Sequence, residues 1–109
     1  MQKIALKKET IEAIADYLNS TEIFDSYTSV EDAEFEQDDV LILVDYEVYA
    51  YWKKDIFVHT EVPAPNVEDF SCWEISSVSL SKVIAYDENG EELQISQEDF
   101  KEIEKKLAA

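Results

Sequence analysis

Arginine is absent from this chain, and cysteine, glycine and histidine occur once each, as Cys72, Gly90 and His59. Each shortage closes a route. Without arginine there is no bidentate clamp for a phosphate or carboxylate substrate. A single glycine cannot build a phosphate-cradling loop. A single cysteine makes no intramolecular disulfide and no thiolate metal cluster, and a lone thiol suits a reducing compartment. One imidazole and one thiol make a nucleophilic pair only if the fold brings His59 to Cys72. The plainer expectation is a partly exposed His59 near a strand end and a Cys72 that packs beside Trp73 as a small core hydrophobe. Long apolar runs are also missing. The longest, residues 40–44, is far too short to span a membrane. Residues 1–8 carry lysines but no apolar stretch of signal-peptide length. These absences lead to an expectation of a cytoplasmic, non-enzymatic protein without a cofactor.

Acid is abundant. Asp and Glu number 26 against 9 lysines, for a formal charge of -17. That balance excludes direct binding to a nucleic-acid backbone, which needs surplus cations, and adhesion to anionic lipid. Apolar residues nevertheless make up 46% and aromatics 12%, too much for a disordered acidic tail. The 109 residues fit one domain, 1–109. A chain of that size can bury about two-thirds of its unfolded surface, so it folds without a metal or disulfide.

Periodicity supplies the elements. Ile11, Ile14, Ala15 and Leu18 recur at helical spacing within residues 8–19, with Glu9, Glu12 and Asp16 off the stripe. Residues 30–36 read as a short strand with Ala33 and Phe35 inward, followed by a turn at 37–39. Residues 40–52 alternate strictly. Val40, Ile42, Val44, Tyr46, Val48, Ala50 and Trp52 share one face, and Leu41, Leu43, Asp45, Glu47, Tyr49 and Tyr51 the other. Such a long strand is expected to bend, bulge or project past its neighbours. A polar turn at 53–55 leads to a strand over 56–62. The segment 62–66, with Pro63 and Pro65, breaks it, and 67–71 completes a loop.

The next strand covers 72–86. Trp73 and Ile75 share one phase, whereas Val78, Leu80, Ile84 and Tyr86 share the other, so a bulge is expected at Ser76–Ser77. Asn89-Gly90 signals a two-residue type I′ hairpin that pairs Tyr86 with Leu93 and Ile84 with Ile95. Ser96 caps a last helix with Asp99 three residues on, and Phe100, Ile103 and Leu107 form its stripe. The predicted fold is α+β: an N-terminal helix, an antiparallel meander of four to five strands and a C-terminal helix. Both helices lie on one sheet face in two layers.

Two acidic features suggest binding. Residues 87–92 place four acids around the Asn89-Gly90 turn. In the type I′ register Glu88 faces Glu91 and Asp87 faces Glu92, a repulsion that a divalent cation would relieve. A divalent-cation-binding domain is therefore one alternative. The other feature is placement: from Glu9 to Trp52 there are thirteen acids and no lysine. Glu34, Glu36, Asp38 and Asp39 cluster at the first hairpin. Asp45 and Glu47 share a strand face with Tyr49 and Tyr51, and tyrosine on a polar sheet face is typical of protein-binding surfaces. The leading expectation is a protein that binds a basic protein partner through these eight residues. Same-face residues lie about 6.8 Å apart, comparable to the phosphate spacing of a nucleic-acid strand. A DNA-mimic inhibitor of a nucleic-acid-binding protein, of the phage or mobile-element type, is the other alternative.

Overall fold

The computed structural model describes residues 2–59 and 66–108, with backbone alone for 57–59, 66 and 67. In chain order the elements are β1 (Lys3–Ile4), α1 (Lys8–Asn19), β2 (Tyr27–Gln37), β3 (Val40–Lys53), β4 (Ile56–His59), β5 (Asn66–Asp69), β6 (Cys72–Tyr86), β7 (Glu92–Ile95) and α2 (Gln97–Lys106). The α+β class holds. A five-stranded sheet has the order β1-β7-β6-β3-β2, and β4 pairs with β5 alone.

The sheet is mixed, which corrects the expected antiparallel meander. β2, β3, β6 and β7 are antiparallel, but β1 pairs parallel to β7, Lys3 with Gln94 and Ile4 with Ile95. A two-residue strand leaves no periodic signal. Side chains from elsewhere hold it in place instead. Gln37 Nε2 donates to the Ala5 carbonyl at 3.1 Å, and Gln37 Oε1 accepts the Lys7 N–H at 2.8 Å. Asp99 Oδ2 accepts the Leu6 N–H at 3.0 Å. The carboxylate expected to complete a capping box at α2 is thus spent on the N-terminal segment, while Ser96 Oγ caps α2 by accepting the Asp99 N–H at 3.1 Å.

Of the expected loop 67–71, residues 67–69 are strand and only 70–71 are not. Asn66–Asp69 forms β5, pairing His59 with Asn66 and Ile56 with Asp69. The step from Lys53↔Cys72 to Ile56↔Asp69 advances three residues on each strand, so the register is kept. β3–β4 and β5–β6 therefore make one long hairpin arm. The expected continuation of the strand to residue 62 and the proline break at 62–65 lie outside the described residues. The arm makes the molecule slender, 70 × 22 × 22 Å, with a radius of gyration of 19.3 Å; a compact chain of this length would have about 13 Å.

The alternation of β3 is kept, because the irregularities fall on its partners. Ile42, Val44 and Val48 are fully buried and Tyr46 nearly so, in one hydrophobic cluster with Ile14 and Leu18 of α1, Leu93 of β7 and Ile103 of α2. β6 bulges at Ser76, where the pairing passes from Tyr49↔Ser77 to Ala50↔Ile75 and Ser76 Oγ donates to the Tyr49 carbonyl at 3.0 Å. The bulge returns Ile75 to the side of Val78 and resolves the phase conflict. A second bulge, at Ser81, carries no such warning in the sequence. It turns Ala85 into the core, where the unbroken phase would have put Ile84 and Tyr86.

Type I′ geometry, expected at Asn89-Gly90, occurs instead at the first hairpin. At the first, Asp38 and Asp39 have φ of 48° and 66° and are flanked by the pair Gln37↔Val40, the type I′ signature. At the second, Tyr86 pairs with Glu92 and Ala85 with Leu93, one residue off the predicted register. There the Gly90 N–H donates to the Asp87 carbonyl and only Gly90 takes positive φ, at 81°. Asp at the first position and Gly at the fourth is type I chemistry, with the left-handed glycine making a bulge.

Candidate binding face

The β3 residues that alternate with the core strip are Leu41, Leu43, Asp45, Glu47, Tyr49 and Tyr51. Pairing with β2 sets Glu36 beside Leu41, Glu34 beside Leu43 and Tyr27 beside Tyr49. From β6 come Tyr86, Ile84, Lys82, Ser79, Ser77 and Glu74. Of the eight residues proposed from sequence, Glu34, Glu36, Asp45, Glu47, Tyr49 and Tyr51 thus share one sheet face. Asp38 and Asp39 sit at the turn bordering it, and Lys7 Nζ meets Asp38 Oδ2 at 2.7 Å.

The aromatic end of this face is tied together by carboxylates. The Tyr27 and Tyr49 rings lie 5.3 Å apart. Tyr49 donates its hydroxyl to Glu47 Oε2 at 2.9 Å, and Tyr51 donates to Glu74 Oε2 at 2.6 Å. The other oxygen of Glu74 receives Lys53 Nζ at 3.3 Å. An anion that accepts a phenol proton disfavours phenolate, so both tyrosines titrate above their ordinary value. The same hydroxyl, and then Lys53, hold Glu74 below the usual carboxylate range. Tyr49 and Tyr51 remain 41% and 48% exposed, enough for their rings to meet a partner.

Asp45 occupies the middle of the face. Opposite it β2 carries an extra residue between Val30 and Ala33, and β6 carries the extra Ser81. On the β2 side Asp32 takes a φ of 57° and donates its N–H to Asp45 Oδ1 at 2.8 Å. Asp45 thus anchors a bulge as well as facing Lys82.

An apolar zone that was not anticipated as part of the site lies beyond Asp45. Leu41 is 40% exposed, and Leu43, Ile84 and Tyr86 are half-buried outside the hydrophobic cluster, beside the exposed Glu34 and Glu36. Its signal was present in Leu41 and Leu43, apolar residues on the polar side of an alternating strand. The contribution of Ile84 and Tyr86 depended on the hidden Ser81 bulge.

The other sequence features fall elsewhere. Asp87 Oδ1 accepts the N–H groups of Asn89 and Glu91, each at 2.9 Å, so this carboxylate already has backbone partners. The one-residue register change also removes the facing of Asp87 against Glu92 that suggested a cation. Among the described residues no group of three His, Cys, Asp or Glu is placed to hold a metal ion. Cys72 is exposed, not a core residue, because its strand has passed beyond the cluster. It pairs with Lys53, and His59 lies six residues further along the arm, about 20 Å of strand. No helix among the described residues is long and apolar enough to cross a membrane. Comparison with known proteins returned no match to a family model, a curated protein or a solved structure.

Proposed function

We propose that this chain acts without catalysis, by binding a basic protein through the β3 face that carries Asp45, Glu47, Tyr49 and Tyr51. Glu34, Glu36 and the Asp38–Asp39 turn form its border. The observation that carries this reading is half-exposed tyrosine and leucine beside carboxylates, on the side of β3 opposite its buried strip. In this reading the molecule has two layers, both helices cover the buried strip, and the second sheet face is left to a partner. Rigid aromatic groups supply contact area, and the surrounding acids steer a cationic partner at a rate that falls with salt. A reducing, cytoplasmic setting fits the lone exposed thiol of Cys72.

A second reading is favoured by shape. A rod of 70 × 22 × 22 Å bearing a charge of -17 is as slender as a nucleic-acid duplex and has the same sign. The partner is then the basic groove of a nucleic-acid-binding protein, blocked by imitation.

Affinity capture from the source cell tests both readings, with the wild-type chain beside Tyr49→Ser/Tyr51→Ser and Asp45→Asn/Glu47→Gln. A basic protein retained by the wild type, lost with either pair of changes and released by salt supports the face. Displacement of that protein by duplex DNA selects imitation, and simultaneous binding of both rejects it. An identical captured set for all three chains would overturn the face as the site.

A further inference from the structure

The chain has two tryptophans, Trp52 and Trp73, and the arm brings both together. They are direct cross-strand partners, with ring centroids 5.4 Å apart in an edge-on arrangement. By the alternation of β3 they lie on the side of Val48, opposite Tyr49 and Tyr51. Ile75, one step nearer the body, still packs against the hydrophobic cluster, but Trp52 and Trp73 lie beyond it and Trp52 is 49% exposed. β2 pairs with β3 no further than Tyr49, so at this level the sheet has narrowed to the two strands of the arm. Exposed Ile56 follows further out in the same phase of the strand.

The chemistry of an occupant follows from charge. A second copy would bring another -17 to this one, and an anionic lipid surface is repelled for the same reason. A cationic segment is attracted, and an indole face is the best aromatic partner for a cation. Arginine suits the place better than lysine, because its weakly hydrated plane stacks on a ring while its edge still bonds carboxylates. This chain has no arginine of its own. Among the described residues the ring contacts are aromatic pairs; of the two lysines beside Trp52, Lys53 is paired with Glu74 and Lys54 interacts with the Asp69 carboxylate.

We propose that the Trp52–Trp73 face of the arm is a docking surface for an arginine-bearing segment of a basic protein. It lies on the opposite side of β3 from the tyrosine face, so either proposal can fail while the other stands.

The emission of this chain's tryptophans reports on the arm alone, which makes the test direct. Nona-arginine and nona-lysine peptides are titrated into the full chain at fixed salt, with peptide binding followed separately by anisotropy of a labelled peptide. The expected result is a saturable change in tryptophan emission with nona-arginine and at least fivefold weaker binding of nona-lysine. Trp52→Leu should weaken nona-arginine binding at least fivefold and abolish most of the emission change. The tryptophan pair lies outside the core, so Trp52→Leu should keep a cooperative thermal unfolding; the wild-type emission change decides the matter if it does not. Saturation by nona-arginine without a change in emission, or equal affinity for both peptides, would overturn the proposal. So would a dimer in sedimentation whose formation by itself shifts the tryptophan emission.

Discussion

Gln37 reaches across from the end of β2 to fix the backbone of Lys7, accepting its N–H at 2.8 Å while donating to the Ala5 carbonyl at 3.1 Å. Gln37 is 8% exposed. Its loss removes the protein partners of two part-buried hydrogen bonds. Gln37→Ala is expected to lower the unfolding free energy by about 1–3 kcal/mol, the worth of two net hydrogen bonds. Denaturant titration measures the loss. Amide exchange should localise it, with protection falling first at Gln94, whose N–H donates to the Gln2 carbonyl. Loss of protection spread evenly over the sheet would contradict this local role.

The Asp38–Asp39 turn holds two L-residues in the left-handed region, φ 48° and 66°. Aspartate tolerates that conformation better than most residues, but glycine is unstrained there. Asp39→Gly is expected to raise stability by about 0.5–1 kcal/mol. Asp39→Asn removes the same charge and keeps the side chain, so it separates the backbone effect from relief of repulsion. If Asn stabilises as much as Gly, the gain is electrostatic and the strain argument fails.

The sequence disclosed the parts of this fold that depend on a repeated pattern. The residue 8–19 helix stripe and the strict alternation of 40–52 are long enough to average out local exceptions, and both elements sit where they were expected. Features decided by one or two residues were less legible. Ser81 is an ordinary strand residue, and only the burial of Ala85 in place of Ile84 betrays that the strand slips there. Asn89-Gly90 fits a two-residue turn on local preference, but Ala85 must pair with Leu93 to fill the core, and the turn lengthens to allow it. β1 exists because Gln37 and Asp99 bind the chain beside it, contacts about 30 and 90 residues away in sequence. For the candidate face, alternation placed Asp45, Glu47, Tyr49 and Tyr51 together, whereas their partners Tyr27, Glu74 and Ile84 required the register.

Gly90 has φ of 81°, and a Cβ added there meets nothing within 4 Å. Gly90→Ala therefore isolates backbone strain from steric clash. A loss of about 1 kcal/mol is expected, from forcing an L-residue into the left-handed region. Thermal unfolding gives the value. A loss several times larger would mean that the turn residues make contacts that this geometry does not contain.

Charge repulsion makes a separate prediction. With -17 spread over the chain, screening should raise thermal stability, since the Debye length falls from about 10 Å at 0.1 M salt to about 3 Å at 1 M. The salt bridges Lys7–Asp38 and Lys53–Glu74 are exposed and weaken in parallel, but such pairs contribute little. A melting temperature that stays level between the two salt concentrations would show that folding brings the acids into no more repulsion than the unfolded chain already has.

The Tyr51–Glu74 bond links two titrations of opposite sign. Tyr51 is raised above its ordinary value by Glu74, so the stabilisation it brings is complete below the unfolded value, about 10, and is lost as pH rises through the folded one. Glu74 is lowered, first by Tyr51 and then by Lys53, so its contribution is present above the unfolded carboxylate value and is lost as pH falls through the folded one. Glu74→Gln removes the anion and should return Tyr51 to the ordinary phenol range. Phenolate absorbance across an alkaline titration should then show one tyrosine ionising earlier than in the wild type. Tyr49, raised by its own bond to Glu47, serves as the internal control and should not move. Superimposable titration curves would mean that Tyr51 does not hold Glu74 in solution, leaving its hydroxyl free for a partner.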